Sequence, residues 1–96
     1  MLIIAVRFVI KQQHLAAFGR RMRQQARESL EREPGCRRFD IAAAAADPRR
    51  IFLYEIYDDA CAFDAHLASA HFQSFDADIQ DWVESKAVER WNGPWE

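Results

Sequence analysis

Residues 2–10 (LIIAVRFVI) and 51–57 (IFLYEIY) are apolar at odd and even positions alike, broken only by Arg7 and Glu55. Successive side chains of a strand point to opposite faces, so a strand apolar on both parities needs cover on both sides. β-Branched and aromatic residues dominate both segments, which favours strand over helix. Helices packed on one side supply half of that cover. A second apolar surface must supply the other half, and a chain of 96 residues has little else to offer than a second copy of itself.

The remaining pattern is consistent with that sheet. Over residues 13–32, Leu15, Phe18, Met22, Gln25 or Ala26, Ser29 and Leu30 recur at three- and four-residue steps among arginines and glutamates, the mark of an amphipathic helix with a narrow apolar stripe. Glu33-Pro34-Gly35 stops it: the residue before proline is pushed out of the helical region, and glycine readily takes the left-handed cap. Residues 36–46 (CRRFDIAAAAA) resume an extended pattern, and Asp47-Pro48-Arg49-Arg50 has turn chemistry, so 36–46 and 51–57 are expected to form a hairpin. Asp58 and Asp59 are positioned to cap a helix in which Ala62, Phe63, His66 and Leu67 share a face. Ser69 caps a further helical segment through Phe72, Phe75, Ile79, Trp82 and Val83, residues 85–91 suit a short last strand, and Asn92-Gly93-Pro94-Trp95 is turn-like. The expectation is one α+β domain over residues 1–96, a ferredoxin-like β-α-β-β-α-β antiparallel sheet with helices on one face. Its other face would be buried against a second copy, giving a homodimer.

Composition excludes several functions. With 13 basic residues against 15 acidic ones, no positive excess exists to neutralise a row of phosphates, so nucleic acid is not an expected partner. The arginines at 20, 21, 23 and 27 are followed by Glu28, Glu31 and Glu33, which reads as a solvated helix face. Cys36 and Cys61 have no zinc-type spacing and read as reduced thiols. The apolar first ten residues are too short to span a bilayer and lack a small-residue cleavage site, so the expectation is a cytoplasmic protein with no membrane partner.

The stretches EPGCRRFDI, DPRRIFLYEIYDD and AFDAHLASAHF, together with Lys11, His14 and Phe18 leading into the first helix, resemble the antibiotic biosynthesis monooxygenase family over nearly the whole chain. The resemblance implies a dimeric α+β barrel. It also implies one of several chemistries: oxidation of hydroquinones or anthrones by O₂ without metal, flavin or haem, isomerisation of a phosphorylated autoinducer-2 product, or haem degradation. The asparagine that family members often carry eight residues before the EPG proline is Ala26 here, and Ala70 replaces the proline before His71. The asparagine, tryptophan and histidine set of the haem-degrading branch is not found in matching positions.

His66 is the first candidate for catalysis. It lies three residues after Phe63 on an apolar helix face, where a histidine is ordinarily structural, but an imidazole there could also exchange a proton with a bound substrate near neutral pH. His71 is a second candidate and Tyr54 a third, as a hydroxyl donor to a substrate oxygen. Phe52, Phe63, Phe72, Trp82 and Trp91 are candidate walls for a flat ring, and Trp95 could close the pocket with Trp91 or pack on the partner. Glu55, alone in an apolar strand, needs a partner, and Arg7 or Arg38 at the subunit interface is the expected one. Two histidines five residues apart do not share a helix face and lack an HExxH or carboxylate triad, so neither a metal nor a cofactor is expected. The leading expectation is a cofactor-independent monooxygenase acting with O₂ on a small electron-rich aromatic. The alternatives are an isomerase of a small phosphorylated diketone, for which Arg7, Arg38 or Lys86 would have to point into the pocket, and a non-enzymatic dimeric binding module.

Overall fold

The computed structural model describes residues 1–93, so the expectation for Trp95 lies outside the described residues. The chain runs β1 (Leu2–Ile10), α1 (Leu15–Arg32), β2 (Cys36–Ala44), β3 (Asp47–Tyr57), α2 (Ala60–Ala68), α3 (Ala70–Ile79) and β4 (Val83–Asn92), with single 3₁₀ turns at Gln12–His14 and Gln80–Trp82. The four strands form one antiparallel sheet in the order β2-β3-β1-β4, placing the two doubly apolar strands at its centre. This is the ferredoxin-like arrangement, with the second helical region split in two. The split falls at Ser69, whose hydroxyl accepts from the Phe72 amide as the cap of α3 and donates to the His66 carbonyl. Asp59 caps α2 by accepting from the Ala62 amide at 2.8 Å. Among the described residues no helix is long and apolar enough to cross a membrane.

The hairpin and helix end differ locally from the sequence expectation. The β2–β3 reversal is at Ala45-Ala46, and Asp47–Arg50 belong to β3. Ala43 pairs with Ile51 but Ala44 with Asp47, so Pro48 falls in a bulge, where its missing N–H interrupts no ladder bond. Helix α1 ends with Glu33 in an extended conformation (φ −109°, ψ 105°), as Pro34 demands, and without a left-handed glycine. Gly35 is required for a different reason. A Cβ there would lie 2.6 Å from the Ala62 Cβ, so the chain between α1 and β2 passes against α2 where only glycine fits.

One sheet face, carrying Leu2, Ile4, Val6, Phe8, Ile10, Ile51, Leu53 and Tyr57, packs beneath the helices against Phe18, Met22, Phe63, Phe75 and Ile79. Phe8 and Phe18 meet edge to face, 5.3 Å between ring centroids. On the opposite face β1 contributes Ile3, Ala5 and Arg7, β3 Phe52 and Tyr54, and β4 Trp91, around a shallow depression that no helix or strand among the described residues covers. Two ion pairs, Arg7–Glu89 and Arg38–Asp40, border this apolar surface, and their guanidinium groups lie over Phe52 and Tyr54. Gly35→Ala is expected to destabilise the chain by about 1–3 kcal/mol through overpacking against Ala62. A urea-unfolding midpoint unchanged from that of the natural chain would show the contact to be slack.

Candidate active site

Three segments distant in sequence meet beneath α2. His66 arrives from the inward face of α2, His71 from the first turn of α3 and Glu33 from the extended residue that ends α1. His66 Nδ1 lies 2.8 Å from Glu33 Oε2 and is hydrogen-bonded to it. A carboxylate can only accept, so the proton of this hydrogen bond sits on the imidazole Nδ1. His71 Nε2 is 2.7 Å from the same oxygen but out of line for a hydrogen bond, and its Nδ1 is 3.4 Å from Gln25 Oε1. All three side chains are largely buried, and Glu33 Oε1 is buried without a partner among the described residues.

These three ligand atoms lie within 4.8 Å of one another, a carboxylate having joined the two histidines. The 2.7 and 2.8 Å separations are nevertheless those of a hydrogen bond and a close polar contact. Neighbouring ligands on a tetrahedral ion with bonds of ~2.0–2.1 Å stand about 3.3 Å apart. A cation would have to displace the Nδ1 proton and spread the cluster.

His66 also forms part of the wall of an internal cavity between helices and sheet. Gln25 and Met22 of α1, Phe63 and His66 of α2, Phe72 and Phe75 of α3, and Val6, Phe8, Leu53 and Glu55 of the sheet line it. Its volume is about 50 Å³, room for a few waters, and it opens between Leu67 and Val88, both exposed at the rim. A ring-sized ligand would have to extend through that mouth. Lys86 stands at the same opening, its ammonium 5.4 Å from the Phe8 ring centroid and 6.0 Å from that of Phe72. Arg90 lies four residues further along β4, over Phe63.

Of the sequence candidates, the structure brings His66, His71, Phe63 and Phe72 together. Tyr54, Phe52 and Trp91 are not with them: they lie on the face of the sheet opposite the helices, separated from His66 by the sheet itself. Trp82 stacks on His14 at 5.9 Å in the turn before β4 and does not line the cavity. Tyr54 and Glu55 do point to opposite faces as strand alternation requires, but Glu55 is the inward one. The expected interface pairing of Glu55 with Arg7 or Arg38 is thereby corrected, since both arginines lie on the other face and pair with Glu89 and Asp40.

Sequence reasoning missed Glu33, Gln25 and Glu55 as members of the site; of the three cations it named for the isomerase alternative, Lys86 alone lines the cavity. Gln25 and Ser29, polar residues four apart on the apolar stripe of α1, were the available signal; the Ser29 hydroxyl donates to the Gln25 carbonyl at 2.8 Å. Gln25 also supplies the cavity's amide one residue before Ala26, which is buried outside the cavity lining.

Buried Glu55, 3% exposed, accepts a hydrogen bond of 2.6 Å from the Tyr57 hydroxyl. Burial pushes its carboxyl above the ordinary value, outweighing the opposing effects of Tyr57, His66 and Lys86. Cys36, buried near Glu33 and Glu55, is pushed up to about 12 and stays a thiol, while Cys61 is exposed.

The site and fold together define a class: a small ferredoxin-like chain with an apolar cavity and a carboxylate-tethered histidine in its wall. The family model for antibiotic biosynthesis monooxygenase matches residues 1–78, and the chain belongs to that family. A candidate antibiotic biosynthesis monooxygenase from Nitrosomonas europaea is similar in structure at TM-score 0.92 and 32% identity, over 99% of this chain and 100% of that one. Rv0793 from Mycobacterium tuberculosis superposes at TM-score 0.89 and 22% identity, covering 99% of this chain and 96% of its own. PA3566 from Pseudomonas aeruginosa does so at 0.89 and 19%, covering 98% and 94%; these two show the shared fold alone. No curated protein matches the chain.

The raised Glu55 has a pH consequence for stability. Folded and unfolded chains are equally protonated there well below the ordinary value of 4.5. As pH rises past that value the unfolded chain ionises first, and stability is lost until the folded carboxyl ionises too. Glu55→Gln should therefore gain stability relative to the natural chain as pH rises from 4 to 8. Thermal melts whose difference does not change across that range would contradict a raised Glu55.

Proposed function

We propose that the chain is a cofactor-independent monooxygenase acting on a small electron-rich aromatic of the quinol or anthrone type, with His66 as its base. The observation that carries this reading is the tether of His66 Nδ1 to Glu33 on a ring that also walls the cavity. Held in that tautomer, Nε2 takes a proton from an acidic O–H or C–H of the substrate, and Glu33 stabilises the imidazolium. The resulting anion passes one electron to O₂, and the substrate radical and superoxide combine to form a C–O bond. Imidazolium returns its proton to the peroxide, and loss of water leaves a carbonyl. For an anthrone the sum is R₂CH₂ + O₂ → R₂C=O + H₂O. Phe63, Phe72 and Phe75 keep bulk water from the reactive anion. His71 is a positioning residue on the Glu33 carboxylate. Tyr54, Phe52 and Trp91 belong instead to the surface through which residues 1–96, as one domain, pair with a second copy.

Lys86 at the cavity mouth favours a second reading, isomerisation of a small phosphorylated diketone. The same His66 would move a proton between carbons while Lys86, with Arg90 beyond it, held the phosphate. In both readings the substrate is a small molecule and the protein works in the cytoplasm.

Oxygen uptake by metal-stripped protein with a panel of hydroquinones and anthrones tests the first reading. Turnover above autoxidation is expected, with His66→Ala reducing it by about 10²–10⁴-fold, the usual contribution of a positioned base. Uptake unaltered by His66→Ala would remove the base assignment. Absence of uptake across the panel, with turnover of a phosphorylated diketone, would transfer the assignment to the isomerase. For the pairing, sedimentation equilibrium should return twice the protomer mass of 11.2 kDa. A concentration-independent monomer would leave the uncovered sheet face for some other partner.

A further inference from the structure

His66 is one acid–base group in the cavity wall, and the wall carries a second. Among its described lining residues Glu55 is the sole carboxyl, set in the sheet that faces α2. Its surroundings are unusual for a carboxylate. No lysine or arginine lies within ion-pair distance among the described residues, although an ionised, buried and unpaired carboxylate is costly. The nearest titratable groups come from every wall: Tyr57 on its own strand, His66 from α2, Glu33 from the end of α1, Cys36 from β2 and Lys86 from β4. Lys86 is engaged over the Phe8 and Phe72 rings. The Tyr57 hydroxyl donates to Oε1, whereas Oε2 accepts from no donor among the described residues.

We propose that Glu55 is a second catalytic residue, a carboxylic acid whose Oε2–H donates to the substrate oxygen that gains negative charge as His66 removes a proton. The inference rests on the reading of His66 as the cavity's base. Two carboxyls then have separate tasks: Glu33 as carboxylate beside the imidazole, Glu55 as acid in the apolar wall, and burial acts in the direction this division needs. Tyr57 fixes the Glu55 carboxyl by donating to Oε1, which leaves the other oxygen as the one that carries the proton. No net proton is consumed: the one His66 accepts returns to the product, and Glu55 keeps or regains its own. The preferred substrate class is accordingly a molecule whose acidic O–H or C–H is conjugated to a second oxygen, such as a hydroquinone, anthrone or hydroxyketone, rather than an isolated phenol.

Infrared difference spectra between natural chain and Glu55→Gln at neutral pH supply a readout that needs no turnover. The natural chain should show the carbonyl stretch of a protonated carboxylic acid, absent in Glu55→Gln, and the band should shift when hydroquinone is bound anaerobically, in His66→Ala as well. With 1,4-hydroquinone and O₂, Glu55→Gln should lose about 10²-fold or more in kcat while KM changes little. The alkaline limb of the rate profile, where Glu55 ionises and can no longer donate, should disappear in that variant. An acid band that is present and ligand-sensitive, without oxygen uptake, would sustain the Glu55 assignment and defeat the monooxygenase reading. Lack of the band, a band indifferent to hydroquinone, or full kcat in a folded Glu55→Gln protein would overturn the assignment.

Discussion

Everything in this structure depends on the two-residue alternation of β1 and β3 at the centre of the sheet. Because both strands are apolar on both parities, the sheet cannot be finished by its own helices. One face is closed by α1, α2 and α3, and the other presents Ile3, Phe52, Tyr54 and Trp91 without cover from the described residues. The same alternation sends Glu55 inward and Tyr54 outward, so it decides which strand residues a ligand beneath the helices can meet. A one-residue slip of β3 would exchange the two.

The cavity exists because the helices do not close completely over β4. Val88 and Lys86 point toward the helical layer yet remain at its margin, and Leu67 marks the other side of the gap. Into this gap the chain brings groups of different protonation chemistry. His66 stands in one wall with Glu33 and His71 behind it, and Glu55 and Tyr57 form a separate hydrogen-bonded pair in the sheet. The helix break at Ser69 turns His66 and His71, five residues apart, toward one carboxylate: each lies on its own helix, and the cap that begins α3 also ties down the end of α2. A continuous helix would have carried the second imidazole roughly 140° around from the first, given ~3.6 residues per turn.

Much of the architecture was legible in residue order. The strands, the amphipathic stripe of α1 and the caps at Asp59 and Ser69 follow from local chemistry; the last helix, expected to run through Trp82 and Val83, ends instead at Ile79, and β4 takes Val83–Asn92 in place of the expected 85–91. The β2–β3 turn was less legible, because Asp-Pro carries turn chemistry in its own right, and here a bulge absorbs it while two alanines make the reversal. Gly35 was recognised as a helix end for the wrong reason. Its small size matters through Ala62 of a different element, which no local rule could reveal. The site was legible only in part. His66, Phe63 and Phe72 follow from helical periodicity, but Tyr54, Phe52, Trp82 and Trp91 were grouped with them by residue type alone, and the fold separates them.

Sequence by itself therefore determined the elements, their antiparallel hairpin, the family and the doubly apolar character of β1 and β3, because these depend on neighbours within a few residues or on periodicity along one element. It also established that Tyr54 and Glu55 oppose each other. Only the tertiary structure decided which of them faces the cavity, since alternation defines two faces without saying where the helices will lie. The meeting of Glu33 with His66, 33 residues apart, was likewise decided in three dimensions. Nothing in the local chemistry of a helix end specifies which buried imidazole it will reach; that follows from the close approach of α1, β2 and α2 around Gly35.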